Sequence, residues 1–184
     1  DSLKSQTFKN FEIILVDNSS TDDSVRYVKK YYPEVGIYHS ENKGFGHGCN
    51  IGADKARGEF LMFFNEDMYV DNDFLEIYIR EYNKLEEKDK IGTIGCAIAH
   101  YDRSFPRGAR EMYGFGVDLM GAPTLNVNPD TIFHNTGWPL FISRLLFLKI
   151  GGFCESIFIY SEDIDICWRL NIYGYKHYFI KGIA

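Results

Sequence analysis

The sequence predicts an α/β fold built on a largely parallel sheet. Over residues 11–99, short apolar runs that indicate buried strands alternate with stretches of helical periodicity. This alternation is typical of parallel sheets whose two faces are covered by helices. A length of 184 residues fits one domain, and a composition with 45% hydrophobic and 25% charged residues is typical of a globular protein.

The first half of the chain divides into four strands and three helices. The apolar run 11–17 ends on Asp17, and a polar turn follows in which Ser20 and Asp23 have the spacing of a helix capping box. Pro33 ends the helix that this turn begins. The predicted elements are strands at 11–17, 35–40, 59–64 and 91–99 and helices at 21–32, 49–58 and 74–88.

The second half begins with a long segment that lacks periodicity. Residues 101–134 are rich in glycine, proline and polar residues, which predicts an irregular excursion within the domain, and long excursions of this kind are usually functional. Beyond it we expect strands at 135–143 and 176–180 and helices at 144–153 and 162–175.

Composition limits the classes of function. The net charge of −6 argues against binding of DNA or RNA, whose affinity comes largely from basic side chains. It still allows a small phosphorylated ligand, since a metal ion can supply positive charge. The 16% of aromatic residues suit either a bulky core or a site that stacks on flat ligands and sugar faces.

The cysteines and the hydropathy pattern bear on location. The four cysteines are scattered and form no C-x-x-C pair, so neither a zinc site nor a disulfide framework is indicated, and we expect reduced thiols in the cytoplasm. No apolar run reaches the roughly 18–20 residues that span a bilayer, and we expect no signal peptide. Both ends of the sequence look cut from a longer chain.

Two acidic positions fall where predicted strands end. Asp17 closes the first strand, and the core strand "FLMFF" runs directly into residues 65–67, "NED". In open α/β sheets ligands bind outside the carboxyl ends of the strands. The residues after Asp67 exclude an EF-hand, because that loop needs oxygen ligands at alternate positions and a glycine at the sixth. The turn is therefore either a solvated acidic turn or a site for Mg²⁺ or Mn²⁺.

The glycine-rich segment 41–52 fits neither a dinucleotide fingerprint nor a P-loop, because the spacing of its glycines is wrong and no G-K-[ST] follows. Lys43 lies in front of a predicted helix N-terminus, which suits an anion. A glycine-rich turn required only for tight packing is the alternative.

A second acidic group opens the helix at 162–175. Glu162, Asp163 and Asp165 lie within four residues, and Arg169 follows about a turn and a half later. Such a group either caps the helix, where the macrodipole offsets the repulsion, or supplies a general base whose pKa is raised by burial and like charge.

Taken in order, these motifs resemble the family 2 glycosyltransferases, which are inverting enzymes with the GT-A fold, and in particular the branch around the rhamnosyltransferases. The matching stretches are "FEIILVDNSSTDDS", "NKGFGHGCNIGADKARGEFLMFFNED" and "GGFCESIFIYSEDIDICWRLNIYGY". The resemblance covers nearly the whole chain apart from residues 101–134. Two positions depart from the family pattern: Asn65 replaces the first acid of the D-x-D metal motif, and Cys154 replaces an aspartate.

The resemblance implies a role for each matched residue. It implies a catalytic base at Asp163 with Glu162 beside it, and Asp67 as the ligand of Mg²⁺ or Mn²⁺. It implies one domain over 1–184, with a nucleotide-sugar half at 1–100 and an acceptor and catalytic-base half at 101–184. The implied nucleotide contacts are Asp17, Asn18, Lys43, Gly44, Asn50 and Asn65. The expected acceptor contacts are Asp165, Arg169 and Trp138, although Trp138 also fits a place in the core.

The implied reaction moves a sugar from a nucleotide-diphosphate sugar, of the UDP or dTDP type, to a hydroxyl of a glycan or lipid-linked acceptor. The enzyme is expected in the cytoplasm, with peripheral association at the cytoplasmic face of a membrane left open, and no nucleic-acid partner is expected. The family's first strand would precede Asp1, and a metal-binding histidine of many members would follow Ala184. Two other functions remain open: a non-catalytic module that binds nucleotide sugars, and a sugar-nucleotide pyrophosphorylase.

Overall fold

The computed structural model describes residues 1–96, 115–118, 123–125, 128, 132–135 and 139–181. Within these ranges the chain forms eight strands and five α-helices. The strands are β1 Ile14–Asp17, β2 Gly36–His39, β3 Phe60–Phe63, β4 Ile91–Cys96, β5 Phe115–Val117, β6 Pro123–Leu125, β7 Leu140–Ser143 and β8 Lys176–Ile180. The helices are α1 Ser24–Tyr31, α2 Phe45–Lys55, α3 Phe74–Lys84, α4 Arg144–Lys149 and α5 Glu162–Ile172, and a short 3₁₀ turn spans Lys88–Lys90.

The α/β class predicted from the sequence is confirmed, and the strands divide between parallel and antiparallel pairs. Strands β1 and β2 pair in parallel as one sheet. The second sheet has the order β3-β7-β4-β8, in which β4 and β8 are parallel and β7 runs antiparallel to both of its neighbours. Because β7 comes from the second half of the chain, it joins the two halves in one sheet.

Alternation along the strands explains how helices cover both faces of the four-stranded sheet. In β3 and β7 successive side chains point to opposite faces, so Leu61 and Leu140 belong to one core cluster and Met62 and Phe141 to the other. The first cluster packs under α2, α4 and α5, and the second packs under α3. A strand that is apolar on both faces is typical of a sheet covered on both sides.

Helix α2 begins four residues earlier than the sequence predicted, so Gly46 and Gly48 lie inside a helix. A Cβ atom at Gly46 would lie 2.9 Å from the Cβ of Phe153, and one at Gly48 would lie 2.7 Å from the side-chain nitrogen of Asn18. The glycines therefore allow the helix to approach its neighbours closely, which offsets their low helix propensity. This favours the packing interpretation of these two glycines.

The stretch predicted to be irregular contains a short antiparallel pair, because β5 pairs with β6. Phe115 also forms an isolated bridge with His134. The expected capping box is wrong: the N-cap residue of α1 is Asp23, whose side chain makes no capping bond, and Oδ1 of Asp22 accepts the backbone N–H of Ser24 at 3.0 Å. The backbone N–H of Ser20 bonds Asp17. Among the described helices, none is long and apolar enough to cross a membrane.

Candidate functional site

Asp17 ends β1 and is held by two hydrogen bonds. Its Oδ1 accepts the backbone N–H of Ser20 at 2.9 Å, and its Oδ2 accepts from Nδ1 of His39 at 2.9 Å. The hydrogen bonding at Ser20, followed by that from His39, lowers the pKa of this carboxyl below its usual value. Asp17 is therefore an ionised acceptor that fastens the end of β1 to the end of β2.

Asn18 lies between the end of β1 and the start of α2. Its side-chain nitrogen donates to the carbonyl of Gly44 at 3.5 Å, and its Oδ1 is buried without a hydrogen-bond partner among the described residues. Buried polar atoms are usually paired, so an open acceptor at this position is a candidate for contact with a ligand.

The start of α2 touches the loop that leads to α5. Gly44 has φ of 102°, and a Cβ there would overlap the backbone of Phe158. The next residue, Phe45, donates its backbone N–H to the carbonyl of Phe158 at 3.0 Å. Only glycine fits at Gly44, because the left-handed conformation and the close approach both exclude a side chain.

Lys43 lies in front of α2 with its side chain 60% exposed, and it pairs with Glu41 at 3.2 Å. Exposed ion pairs of this kind contribute little to stability and exchange readily. The ammonium group can therefore turn towards an anion, and its contact with a phosphate stays a prediction.

Asn50 braces α2 against the Gly-Gly-Phe turn. Its side-chain nitrogen donates to the carbonyl of Phe153 at 2.9 Å, and its Oδ1 accepts the backbone N–H of the same residue at 2.8 Å. The side-chain nitrogen also lies 3.2 Å from Oε1 of Glu155. These bonds give Asn50 a structural role in this conformation, and its contact with a nucleotide stays a prediction.

The end of β3 leads to the predicted metal ligand. Phe63 packs against Phe153 with ring centroids 5.1 Å apart, and the chain then turns through Asn65 to Met68. Asn65 is half-buried and Asp67 is exposed. Among the residues that the structure describes, no three His, Cys, Asp or Glu side chains cluster as a metal site. A single exposed carboxylate still fits Mg²⁺ or Mn²⁺, which take most ligands from phosphate and water in sites of this type.

The first turn of α5 carries the predicted base. Glu162 is 4% exposed, and its Oε2 has no hydrogen-bond partner in the described part of the chain. Burial, together with the charge of Asp163, raises the pKa of Glu162 above its usual value. Asp163 is half-buried, and its Oδ1 accepts the backbone N–H of Ile164 at 2.8 Å. The pair thus combines one buried carboxyl and one carboxylate nearer to solvent.

Asp165 and Arg169 form a clamp one turn further along α5. Arg169 donates to Oδ2 of Asp165 at 2.6 Å and to the carbonyls of Ile150 and Gly152, both at 2.7 Å. These contacts hold α5 against the turn before it. Acceptor contacts by the two residues stay a prediction, and Trp138, the third predicted acceptor residue, lies outside the described residues.

A buried network of polar side chains joins β4 and β8 to α5. Asn135 donates to Oγ1 of Thr93 at 2.8 Å, and Thr93 lies 2.7 Å from Nδ1 of His177. Nε2 of His177 lies 3.3 Å from the carbonyl of Cys167. A carbonyl only accepts, so Nε2 carries the proton, and Nδ1 accepts from the hydroxyl of Thr93. Burial lowers the pKa of His177 to about 4, which is consistent with this neutral form.

These contacts link the ends of β1 and β3 to the start of α2 and to the loop before α5. Asn18 touches the start of α2, the start of α2 touches the loop before α5, and Phe153 touches both α2 and the end of β3. The ends of β1 and β3 and the starts of α2 and α5 are therefore linked by direct packing. Asp67 itself makes no side-chain hydrogen bond or ion pair with the described residues.

Sequence reasoning missed His39 and His134. His39 ends the strand after β1, and its pairing with Asp17 follows from the parallel register, which one sequence does not reveal. His134 is buried, donates from Nδ1 to the carbonyl of Asn135 at 3.0 Å, and has no partner for Nε2 among the described residues. His134 lies in a segment without hydrophobic periodicity, so nothing in the sequence indicated that it is buried.

The fold is of the GT-A glycosyltransferase type. A crystal structure of GalNAc-T7 with UDP, GalNAc and Mn²⁺ superposes with a TM-score of 0.77 over 97% of this chain and 38% of that one, at 19% identity. Residues 1–168 match the model of glycosyl transferase family 2, and the chain belongs to this family.

Two curated relatives agree with the family. An uncharacterized glycosyltransferase of Rickettsia typhi is 30% identical over 173 residues, which are 92% of this chain and 52% of the relative. The rhamnosyltransferase WbbL of Escherichia coli is 25% identical over 194 residues, which are 95% of this chain and 71% of the relative. The chain thus spans about half the length of the first of these relatives.

Proposed function

We propose that this domain is the catalytic part of an inverting glycosyltransferase, which moves a sugar from a UDP- or dTDP-sugar to a hydroxyl of a glycan or lipid-linked acceptor. The observation that carries the proposal is the family match over residues 1–168, joined to an acidic pair at the start of α5 in which Glu162 is buried and Asp163 is half-buried. A carboxylate at a helix start beside a second carboxyl group is suited to general-base work.

The donor is assigned to the half formed by residues 1–100. Asn18 would face the base and ribose, and its Oδ1, unpaired among the described residues, supports such a contact. Asp17, whose two oxygens accept from Ser20 and His39, would act at the same place by fixing the ends of β1 and β2. Lys43 would approach the diphosphate, and Gly44 would let the backbone come close to it. Asn50 and Asn65 complete the proposed donor contacts. Asn50 would either contact the donor after its bonds to Phe153 break or act indirectly by positioning α2.

The metal is assigned to Asp67. A divalent ion held between this carboxylate and the diphosphate would supply Lewis-acid stabilisation of the departing nucleoside diphosphate. The exposed position of Asp67 leaves room for phosphate and water ligands. GalNAc-T7, whose fold is similar, was crystallised with UDP and Mn²⁺, and this supports the choice of ion.

The acceptor and the base are assigned to the half formed by residues 101–184. Asp163 would take the proton from the acceptor hydroxyl as its oxygen attacks the anomeric carbon, while the bond to the diphosphate breaks on the opposite face. Glu162, whose pKa is raised by burial, would shape the acceptor side. Trp138, Asp165 and Arg169 are the proposed acceptor contacts.

Loss of the base tests the proposal. Asp163→Asn should lower the transfer rate by about 10²–10⁴-fold, the usual contribution of a general base, while the affinity for the nucleotide changes little. The assay follows release of nucleoside diphosphate from candidate donors by the natural full-length protein with Mn²⁺. Asp73→Asn is the matched control, because Asp73 also lies at a helix start, is exposed and makes no capping bond.

The alternative functions predict different products. Full transfer by the Asp163→Asn protein would remove the base assignment. Nucleotide-sugar binding without any turnover by the wild type would point to a binding module, and release of pyrophosphate would point to a pyrophosphorylase. Action in the cytoplasm, with peripheral association at the membrane face, is part of the same proposal, and separation of membrane and soluble fractions checks it.

A further inference from the structure

The ends of β1 and β2 form a fixed corner at the proposed donor site. The two strands are parallel and in register, so that Asp17 lies opposite His39. Three bonds tie the ends together: Asp17 to His39, the hydroxyl of Ser19 to the carbonyl of Ser40 at 2.8 Å, and the N–H of Ser40 to the carbonyl of Asp17 at 2.9 Å. A group on this corner is held in a defined orientation.

The two side chains of this corner differ in what they offer to a ligand. The side chain of Asp17 is 8% exposed, and both of its oxygens already accept hydrogen bonds from Ser20 and His39. The side chain of His39 is 58% exposed. The surface that a ligand would meet here is therefore mainly the imidazole ring, and Asp17 lies behind it.

The contact with Asp17 fixes the tautomer of His39. An ionised carboxylate only accepts hydrogen bonds, so Nδ1 of His39 carries a proton. In the neutral ring Nε2 then presents a lone pair at the exposed edge. No hydrogen bond joins this Nε2 to another described residue. A single, oriented acceptor thus faces outward at the end of β2.

We propose that His39, oriented by Asp17, reads the base of the donor nucleotide and favours uracil or thymine. This inference rests on the proposed function. Uracil and thymine present one imide N–H between two carbonyls, which matches one lone pair on Nε2. Guanine presents two adjacent donors, which a single nitrogen acceptor satisfies only in part, and a buried donor left unpaired reduces affinity.

Calorimetric titration of UDP, dTDP and GDP into the full-length protein with Mn²⁺ tests the inference. We expect the wild type to bind UDP and dTDP more tightly than GDP. His39→Ala should weaken UDP binding about three- to tenfold, as expected for one hydrogen bond, with less than a twofold change for GDP. His39→Gln places an amide oxygen at the ε position and should restore most of the affinity for UDP.

Lys4→Ala is the matched control. It removes another ion pair, in which Lys4 lies 3.1 Å from Glu34. Glu34 lies just before the start of β2, at the opposite end of that strand from His39. This variant should bind all three nucleotides as the wild type does. Nitrogen NMR of the wild-type protein should show that the neutral ring of His39 carries its proton on Nδ1.

Several results would overturn the inference. Unchanged UDP affinity in His39→Ala, an equal loss for UDP and GDP, a failure of His39→Gln to restore binding, or a proton on Nε2 alone would each remove His39 as the reader of the base. Binding of none of the nucleotides by the folded wild type would overturn the proposed function as well. The two failures are therefore distinguishable.

Discussion

The clamp at Arg169 gives a prediction whose magnitude follows from the structure. Its guanidinium joins Asp165 to the carbonyls of Ile150 and Gly152 with three contacts of 2.6–2.7 Å. The side chain is 28% exposed, so water screens the group only in part. Arg169→Ala removes all of these bonds and leaves two carbonyls and one carboxylate without their donor.

Hydrogen bonds to charged groups contribute about 1.5–3 kcal/mol each, and an i,i+4 ion pair contributes about 0.5 kcal/mol. Water can reach part of the vacated space and replace some of this interaction. We therefore expect Arg169→Ala to lower the free energy of unfolding by about 3 kcal/mol, which corresponds to a fall in Tm of about 6–12 °C for a protein of this size. Arg169→Lys should lose roughly half as much, because an ammonium group lacks the planar fork.

Urea denaturation followed by circular dichroism measures this effect. Arg26→Ala is the control, since Arg26 is 79% exposed and forms only a surface pair with Asp23, and its loss should cost less than about 0.5 kcal/mol. A loss below about 1 kcal/mol for Arg169→Ala would refute the clamp. An unchanged stability with a raised Michaelis constant for the acceptor would support the acceptor role instead.

Two further predictions concern the metal and the pH. Asp67→Ala should abolish the enhancement of nucleotide binding by Mn²⁺ and leave metal-free binding unchanged. Calorimetry with and without the ion checks this. Equal enhancement in the variant and the wild type would remove Asp67 from the site. Burial lowers the pKa of His177 to about 4 in the folded protein, against about 6.5 when unfolded, so the unfolded state gains protons first as the pH falls. As the pH falls from 6.5 to 4, the protonation of this group should lower the free energy of unfolding by about 3 kcal/mol. Urea denaturation across this pH range and NMR titration of the ring measure the effect. An imidazole that titrates near 6.5 in the native protein would contradict the prediction.

The sequence by itself determined the α/β class, the order of most elements and the family. Apolar runs such as "FLMFF" and the helical spacing in α3 are local signals, because burial of one strand or one helix face imposes a period on neighbouring residues. The acidic start of α5 was also predicted, since carboxylates at a helix N-terminus complement the macrodipole.

Sequence reasoning failed where contacts join residues distant along the chain. It placed Gly46 and Gly48 in a loop, because glycine is a poor helix former, and the close approach of Phe153 and Asn18 that requires glycine appears only in the folded chain. It also did not indicate that Asn50 bonds Phe153, 103 residues away, while the contact of Asn50 with a nucleotide stays a prediction. Periodicity carries no information on such pairs.

Only the tertiary structure decided which strands are neighbours and what each polar group meets. It placed β7 between β3 and β4, and it set His39 opposite Asp17 through the register of β1 and β2. It also separated the acids at the start of α5, burying Glu162 while Asp165 pairs with Arg169. The physical reason is that hydrogen bonding and desolvation depend on distances in space, which the order of residues does not set.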